Sequence, residues 1–376
     1  MVYLDYSATT PVDRRVLESF ERTSLEYIGN PNSLHLEGVK AKKLMDAATH
    51  QVAELLHIKD SEVIFTSGAS ESNNLAIKGV IGKYLDRGKT IITTKLEHAS
   101  VLEPLNYLKE KGYTIKYVKV NKDGLVDIDE LKKMLDNDTI LVSVGEVNSE
   151  IGLVQNVDEI GLLLKDYPRI IFHVDGTQAV GKKNISLDNI DLYTFSGHKI
   201  YGLKGIGCLI KKEHVTLEPL IHGGKSQSIF RAGTPPLPLI VSFAKALKLI
   251  INDLEFNYRY VSGLNERLIN GLKNIDGVII NSNEKCLPHI VNISIIGIKP
   301  ETMLHALEED EIYISTKTAC SSLDDLSLGV YEVTKDEERA KSSIRISISH
   351  LTKSNEIDFF LEKLKMNVEK LRSIGS

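Results

Sequence analysis

The stretch "FSGHKIYGLKGIG", residues 195–207, sets Lys199 and Lys204 among four glycines just after an apolar run. Glycine lets backbone pass close to a bound group, and lysine there is either a phosphate clamp or, with its amine unprotonated, a nucleophile. Other apolar runs also end in residues that can do chemistry. After "EVIFT" come Ser67, Gly68, Ala69, Ser70, Glu71 and Ser72, opening a helix. Small residues at a helix start present N–H groups and hydroxyls to an anion, although Ser67 or Ser70 could equally serve as an N-cap. After "KTIITT" stands His98, and after "TILVSV" stand Asn148 and Ser149, within reach of a ligand. After "IIFHV" stands Asp175, with Gln178 one turn on. A carboxylate ending an apolar strand needs a partner, because burying it alone is costly.

Each of these has a bland explanation; together they make one constellation. Ser70, Ser196 and His198 supply a phosphate cradle, and beside them stand a carboxylate, an imidazole and a lysine. Pyridoxal 5′-phosphate requires these parts: a lysine for its aldehyde, a carboxylate to hold its ring nitrogen protonated, and donors for its phosphate. A nucleotide-binding P-loop is excluded, since no GxxxxGK[ST] occurs. Lys204 reads as a solvated turn residue.

The elements that position these residues follow from the pattern of the chain. From about residue 60 to 210, β-branched runs ("EVIFTS", "KTIITT", "YTIKYVKV", "TILVSV", "IIFHVD", "DLYTFS", "GCLIKK") alternate with helical stretches. That alternation predicts an α/β layer fold, a mostly parallel seven-stranded sheet between helices. In such sheets ligands bind beyond the carboxyl ends of the strands, where the polar residues above lie. Beyond residue 237 one long helical stretch leads to "GVIINS", "HIVNISI", "EIYIST" and "IRISIS", which predict a smaller α+β domain. We expect a large domain at 13–255 and a small one built from 1–12 and 256–376.

Composition narrows the function. Lysine and arginine number 46 against 51 acidic residues, a net charge of −5, which gives no footprint for direct nucleic-acid binding. No apolar run is long enough for a membrane span, and no signal peptide is visible, so a cytoplasmic protein is expected. Three cysteines without metal-ligand spacing argue against a disulfide framework or a structural zinc site. Cys208 reads as a buried hydrophobe and Cys286 as a turn residue without a partner. Cys320, among small polar residues with Lys317 three positions back, reads as an exposed thiol helped toward thiolate.

The blocks "YLDYSATTP", "GNPNSLH", "FTSGASESNNLAIKG", "EHAS", "HVDGTQAVGK", "FSGHKIYGLKGIG", "RAGT", "TACSS" and "SSIRIS" resemble, in order and over the whole chain, the signatures of NifS/IscS-type cysteine desulfurases. These are class V aminotransferase enzymes of PLP fold type I. The resemblance implies that Lys199 bonds the cofactor aldehyde and moves protons at the substrate Cα. It makes Asp175 the partner of the ring nitrogen and Gln178 that of the ring hydroxyl. His98 then stacks on the ring as acid/base. Ala69, Ser70, Ser196 and His198 become the phosphate cradle, with Thr234 reaching the phosphate of a second subunit in a homodimer. Arg345 pairs with the carboxylate of L-cysteine, Asn30 and Asn148 lie nearby, and Cys320 is the nucleophile that takes the sulfur as a persulfide. A protein sulfur acceptor, for iron–sulfur assembly, tRNA thiolation or thiamine synthesis, is implied.

The chain departs from the family pattern at several places. Ser149 stands where the family has a ring-contacting asparagine. "GGKSQ" replaces "GGGQE", the stretch after Cys320 is altered and shorter, and Ile348, Ser349 and His350 stand where the family has "SLGR" after the substrate arginine. These changes cluster where substrate and sulfur acceptor meet the enzyme, which suggests a specialised paralogue with a dedicated acceptor. A selenocysteine lyase, a class V aminotransferase and a weakly active sulfur-relay scaffold are the alternatives; an aminotransferase has no use for Cys320.

Overall fold

The computed structural model describes residues 1–224, 226–316 and 326–375. It begins with a two-residue strand, β1 (Val2–Tyr3). The seven runs expected as strands then form one sheet: β2 (Val63–Thr66), β3 (Thr90–Thr93), β4 (Thr114–Tyr117), β5 (Thr139–Gly145), β6 (Ile171–Asp175), β7 (Leu192–Ser196) and β8 (Gly207–Lys211). Their order is β2-β8-β7-β6-β5-β3-β4. All pairings are parallel except those of β8, which runs antiparallel to β2 and β7. A sheet covered on both faces has no solvent side, which is why runs such as "TILVSV" show no polar alternation. On one face lie the helices Ala69–Lys83 and Ala99–Glu110, on the other Arg14–Glu26, Leu36–Leu55 and Leu237–Asn252. The strand order reverses between β3 and β5, and His98, Asn148 and Asp175 follow β3, β5 and β6 at that crevice.

A second apolar core joins Val2 and Leu4 to residues from Val261 to Val368. Its sheet consists of β9 (Val278–Ile280), β10 (Ile290–Ile295) and β12 (Ser343–Ser347), antiparallel in the order β12-β10-β9. The run "EIYIST" gives β11 (Ile312–Tyr313), which pairs with β1 in a separate ladder. The long helical stretch is divided at Asp253 into Leu237–Asn252 and Leu254–Leu272. Aspartate is a poor helix-interior residue, and the break falls where the chain leaves the first core for the second. No helix among the described residues is long and apolar enough to cross a membrane.

The chain thus starts in the second core and then crosses to the strand ends of the large sheet. Thr10 marks the arrival: its N–H and its hydroxyl both donate to the His198 carbonyl at 2.9 Å.

The floor of that crevice depends on one close backbone approach. Gly207 pairs with Thr66 and Ser196, and a Cβ there would sit 2.6 Å from the Gly68 Cα. Backbone cannot yield as a flexible side chain can. Gly207→Ala should therefore destabilise the protein by about 1–3 kcal/mol, as core overpacking does. An unchanged denaturation midpoint would show that the two strands separate freely.

Candidate active site

A cavity of about 650 Å³ opens at the carboxyl ends of the large sheet, lined by the strand-end residues, by the N-terminal segment and by Arg345. Lys199 ends a single 3-10 turn, Gly197–Lys199, that follows β7 directly. Its Nζ donates to the Ala8 carbonyl at 2.8 Å and to that of Ser7. The adjacent His198 Nδ1 lies 3.2 Å from the Thr9 hydroxyl. Burial, reinforced by Lys199, pushes the His198 imidazole down to about 4, so it is neutral at physiological pH.

Ala69 and Ser70 line the cavity at the start of the helix Ala69–Lys83. No side chain caps this helix, so neither serine expected as an alternative N-cap serves as one. Ser67 instead donates its N–H to Glu71, which is paired with Arg231 at 2.9 Å. With the first N–H groups left uncapped beside Ser196 and His198, the helix start suits an anion.

Asp175 is buried at the end of β6, and each carboxylate oxygen accepts a hydrogen bond. Asn73 donates to Oδ2 at 2.8 Å and the Thr177 N–H to Oδ1 at 3.0 Å. Gln178 donates to the Ser7 carbonyl at 2.9 Å, while its Oε1 accepts from Lys182 at 2.6 Å. Since a backbone carbonyl only accepts, the Ser7 contact fixes the amide with its NH₂ turned away from Lys182. Lys182 itself is buried, and burial, aided by the nearby charges of Lys199 and Arg345, pushes it down to about 7. His98 is the N-cap of the helix Ala99–Glu110, accepting the Ser100 N–H at its Nδ1. Burial also lifts the neighbouring Glu97 to about 8 and leaves its Oε2 without a partner.

Arg345, from β12, closes the cavity from the second core. Its Nη2 donates to Asp5 at 2.7 Å and its Nη1 to the Ser149 carbonyl at 2.9 Å, while its buried Nε has no partner among the described residues. Ser149 holds Arg345 through backbone, so its shorter side chain leaves that contact intact. Both termini of the Asn148 amide are committed to the local turn, to the Leu96 carbonyl and to the N–H groups of Glu150 and Ile151. Asn148, expected at the substrate, is thus a turn-holding residue that lines the cavity with its polar groups occupied. Asn30 is exposed in a turn of its own, accepting from the Asn32 N–H, and Thr234 is exposed as well. Neither lines the cavity of its own chain.

Cys320 lies outside the described residues. Cys208 is fully buried, and burial pushes its thiol far up. Cys286, expected to lack a partner, accepts from the Asn283 N–H at 3.3 Å. Lys204 is exposed, as a turn residue should be, yet it also stands in the cavity lining. Sequence reasoning missed Asp5, Ser7, Ala8 and Thr9, although their block "YLDYSATTP" was noted. Ser7 and Ala8 contribute backbone carbonyls, which residue type does not announce, while Asp5 and Thr9 contribute side chains. It also missed Asn73, Glu97 and Lys182, each of which reads as ordinary helix or loop polarity until folding places it.

The donor set fits pyridoxal phosphate. An uncapped helix start with Ser196 and His198 suits a phosphate, a carboxylate braced by two donors suits a protonated ring nitrogen, and a lysine held on carbonyls suits an aldehyde. Lys199, Lys204 and Arg345 line the cavity, and two of its carboxylates, Asp5 and Glu71, are paired with Arg345 and Arg231, a balance that suits an anionic occupant.

Lys182 gives a pH signature. Between about 7 and its ordinary 10.5, the unfolded chain holds a proton that the folded chain has lost. Stability of the cofactor-free protein should rise across that window, with the full penalty present below it. Lys182→Met should flatten the slope in denaturant titrations at several pH values; an identical slope would place the proton elsewhere.

The aminotransferase class-V family model matches residues 2–360. The mitosomal cysteine desulfurase of Encephalitozoon cuniculi is 42% identical, over 100% of this chain and 88% of its own length. The cysteine desulfurase IscS of Buchnera aphidicola is 40% identical, over 100% and 94% respectively. Among solved structures, a NifS-like protein superposes with a TM-score of 0.92 at 36% identity, covering 98% of this chain and 99% of that one. SspA in complex with cysteine superposes with a TM-score of 0.82 at 32% identity, covering 94% and 100%. An alignment this complete leaves one assignment: the chain belongs to the class-V aminotransferase family, among its cysteine desulfurases.

Proposed function

We propose that this protein is a pyridoxal phosphate-dependent cysteine desulfurase, converting L-cysteine to L-alanine and leaving a persulfide on Cys320. The observation that carries the reading is the convergence of Lys199, Asp175 and Arg345 on one cavity, in a chain that aligns end to end with cysteine desulfurases.

Ala69, Ser70, Ser196 and His198 would hold the cofactor phosphate, Asp175 its ring nitrogen, Gln178 its ring oxygen, His98 its ring face and Lys199 its aldehyde. Bound there, the group supplies an electron sink for the charge left when the substrate Cα loses its proton. Arg345 offers a planar fork that matches the substrate carboxylate and fixes the amino acid in one orientation. Lys199, whose Nζ stands in the cavity, would take the Cα proton of the bound amino acid and return it. The Cys320 thiolate attacks the substrate sulfur, since a thiol is a far poorer nucleophile. The S–S bond forms as the C–S bond breaks, and the carbon takes a proton. Enzyme thiol plus cysteine gives enzyme persulfide plus alanine, with no outside oxidant. The described chain leads toward Cys320 from Ser315, whose backbone bonds that of Arg345 in both directions.

We further read the protein as a homodimer in which Thr234, exposed and away from its own cavity, serves the partner's phosphate. A protein sulfur acceptor completes the cycle, and the family departures around Ser149 and after Cys320 favour a dedicated one. The two cores support a division into residues 13–255 and 1–12 with 256–376.

The test is alanine formation from L-cysteine by the cofactor-loaded protein, with and without a thiol reductant. Turnover stimulated by reductant is expected, because reductant clears the persulfide. Lys199→Ala should abolish both alanine and the visible absorbance that develops when cofactor is added. A yellow protein that yields no alanine would instead favour a sulfur-relay scaffold.

A further inference from the structure

Between Asp175 and His98 runs a line of hydrogen bonds through two residues without an assigned role, Asn73 and Ser100. Asn73 is fully buried on the helix Ala69–Lys83. Its Nδ2 lies 2.8 Å from Asp175 Oδ2 and 2.9 Å from Ser100 Oγ. A carboxylate oxygen can only accept, so the atom facing it must be the amide nitrogen, and both amide hydrogens are then used. The price of this orientation is visible: Asn73 Oδ1 is buried with no partner among the described residues.

The consequence passes to Ser100. Its hydroxyl already accepts from Asn73, so its own proton is free for His98 Nδ1, 2.8 Å away. The Ser100 backbone N–H donates to the same nitrogen at 3.1 Å. A ring nitrogen that receives two donors carries no proton of its own, and the imidazole proton must sit on Nε2.

We propose that Asn73 is a positioning residue that sets the protonation pattern of His98. By donating to Asp175 and Ser100 together, it holds His98 as a neutral imidazole with its proton on Nε2. His98 then meets the bound cofactor and substrate as an N–H donor, not as an imidazolium and not as a base at Nδ1. Only what Nε2 faces depends on the desulfurase reading; the protonation pattern follows from the protein alone. The surrounding charges divide. Burial and Lys199 oppose a positive ring, Asp175 and Glu150 favour one, and burial is the largest influence. Among the charges, Asp175 acts on the ring most strongly, and it is held in place by Asn73 and the Thr177 N–H.

The experiment is nitrogen NMR on full-length, cofactor-free protein carrying isotope-labelled histidine, with the His98 signals identified by their loss in His98→Gln. Wild type at neutral pH should show a neutral ring protonated on Nε2; a proton on Nδ1, or an even mixture, overturns the proposal without any further variant. Asn73→Ala and Ser100→Ala should each make His98 about tenfold easier to protonate, an upward move of about one pH unit. The double variant should add nothing, because Asn73 acts on His98 through the Ser100 hydroxyl, which Ser100→Ala removes outright. Additive shifts, or an Asn73→Ala protein that loses thermal stability while its His98 signals stay in place, would make Asn73 a structural residue only. Alanine assays play no part, so the outcome is separable from the fate of the desulfurase reading.

Discussion

A carboxylate at the end of a strand buried on both faces survives only if its charge is met locally, and Asp175 is that carboxylate. β6 is apolar up to its last residue apart from His173, which shares the face of Asp175 and is satisfied by Ser143 and Thr194. The strand delivers Asp175 to the crevice where the sheet order reverses. Asn73 from one helix and the Thr177 N–H from the following turn then hold its two oxygens apart and aimed. Because Asn73 is bound to Asp175, the helix that starts the phosphate cradle is tied to the group that would hold the ring. Cradle and carboxylate therefore keep a fixed separation, which one rigid ligand must match.

The second constraint is the N-terminal segment. Val2 and Leu4 are anchored in the second core, and the next six residues run across the strand ends of the first. Asp5 pairs with Arg345, Ser7 and Ala8 accept from Lys199, Ser7 also accepts from Gln178, and Thr9 meets His198. Four functional side chains from distant parts of the sequence are therefore registered against one short segment, two through its carbonyls and two through its side chains. The site exists only where both cores are folded and joined, which makes its geometry a property of the whole chain.

The sheet was legible because each of its strands is a compact apolar run bounded by turn residues, and all seven runs were read as strands. The polar residues after them were legible for the same reason, since an α/β sheet has one ligand-binding edge. Residues acting through backbone, such as Ser7 and Ala8, were not, because a carbonyl has no sequence signature. Asn148 was assigned to the substrate from its position after β5, yet folding spends its amide on the turn that carries Ser149 and Glu150. Lys182 carries no signal in the sequence, and only the fold shows it buried against Gln178. Asn30 and Thr234 are exposed and take on meaning only if a second subunit brings them to a site. Cys320 carries the reaction in this account, and its assignment rests on residue type and family resemblance.

The account turns on sulfur passing from L-cysteine to Cys320, and one measurement addresses that directly. A single turnover with sulfur-labelled L-cysteine, followed by digestion and peptide mapping, should place one labelled sulfur per active site on the Cys320 peptide. That label should be released by thiol reductant, and alanine should form in equal amount. Alanine formed without protein-bound label, or label on Cys208 or Cys286 instead, would contradict it.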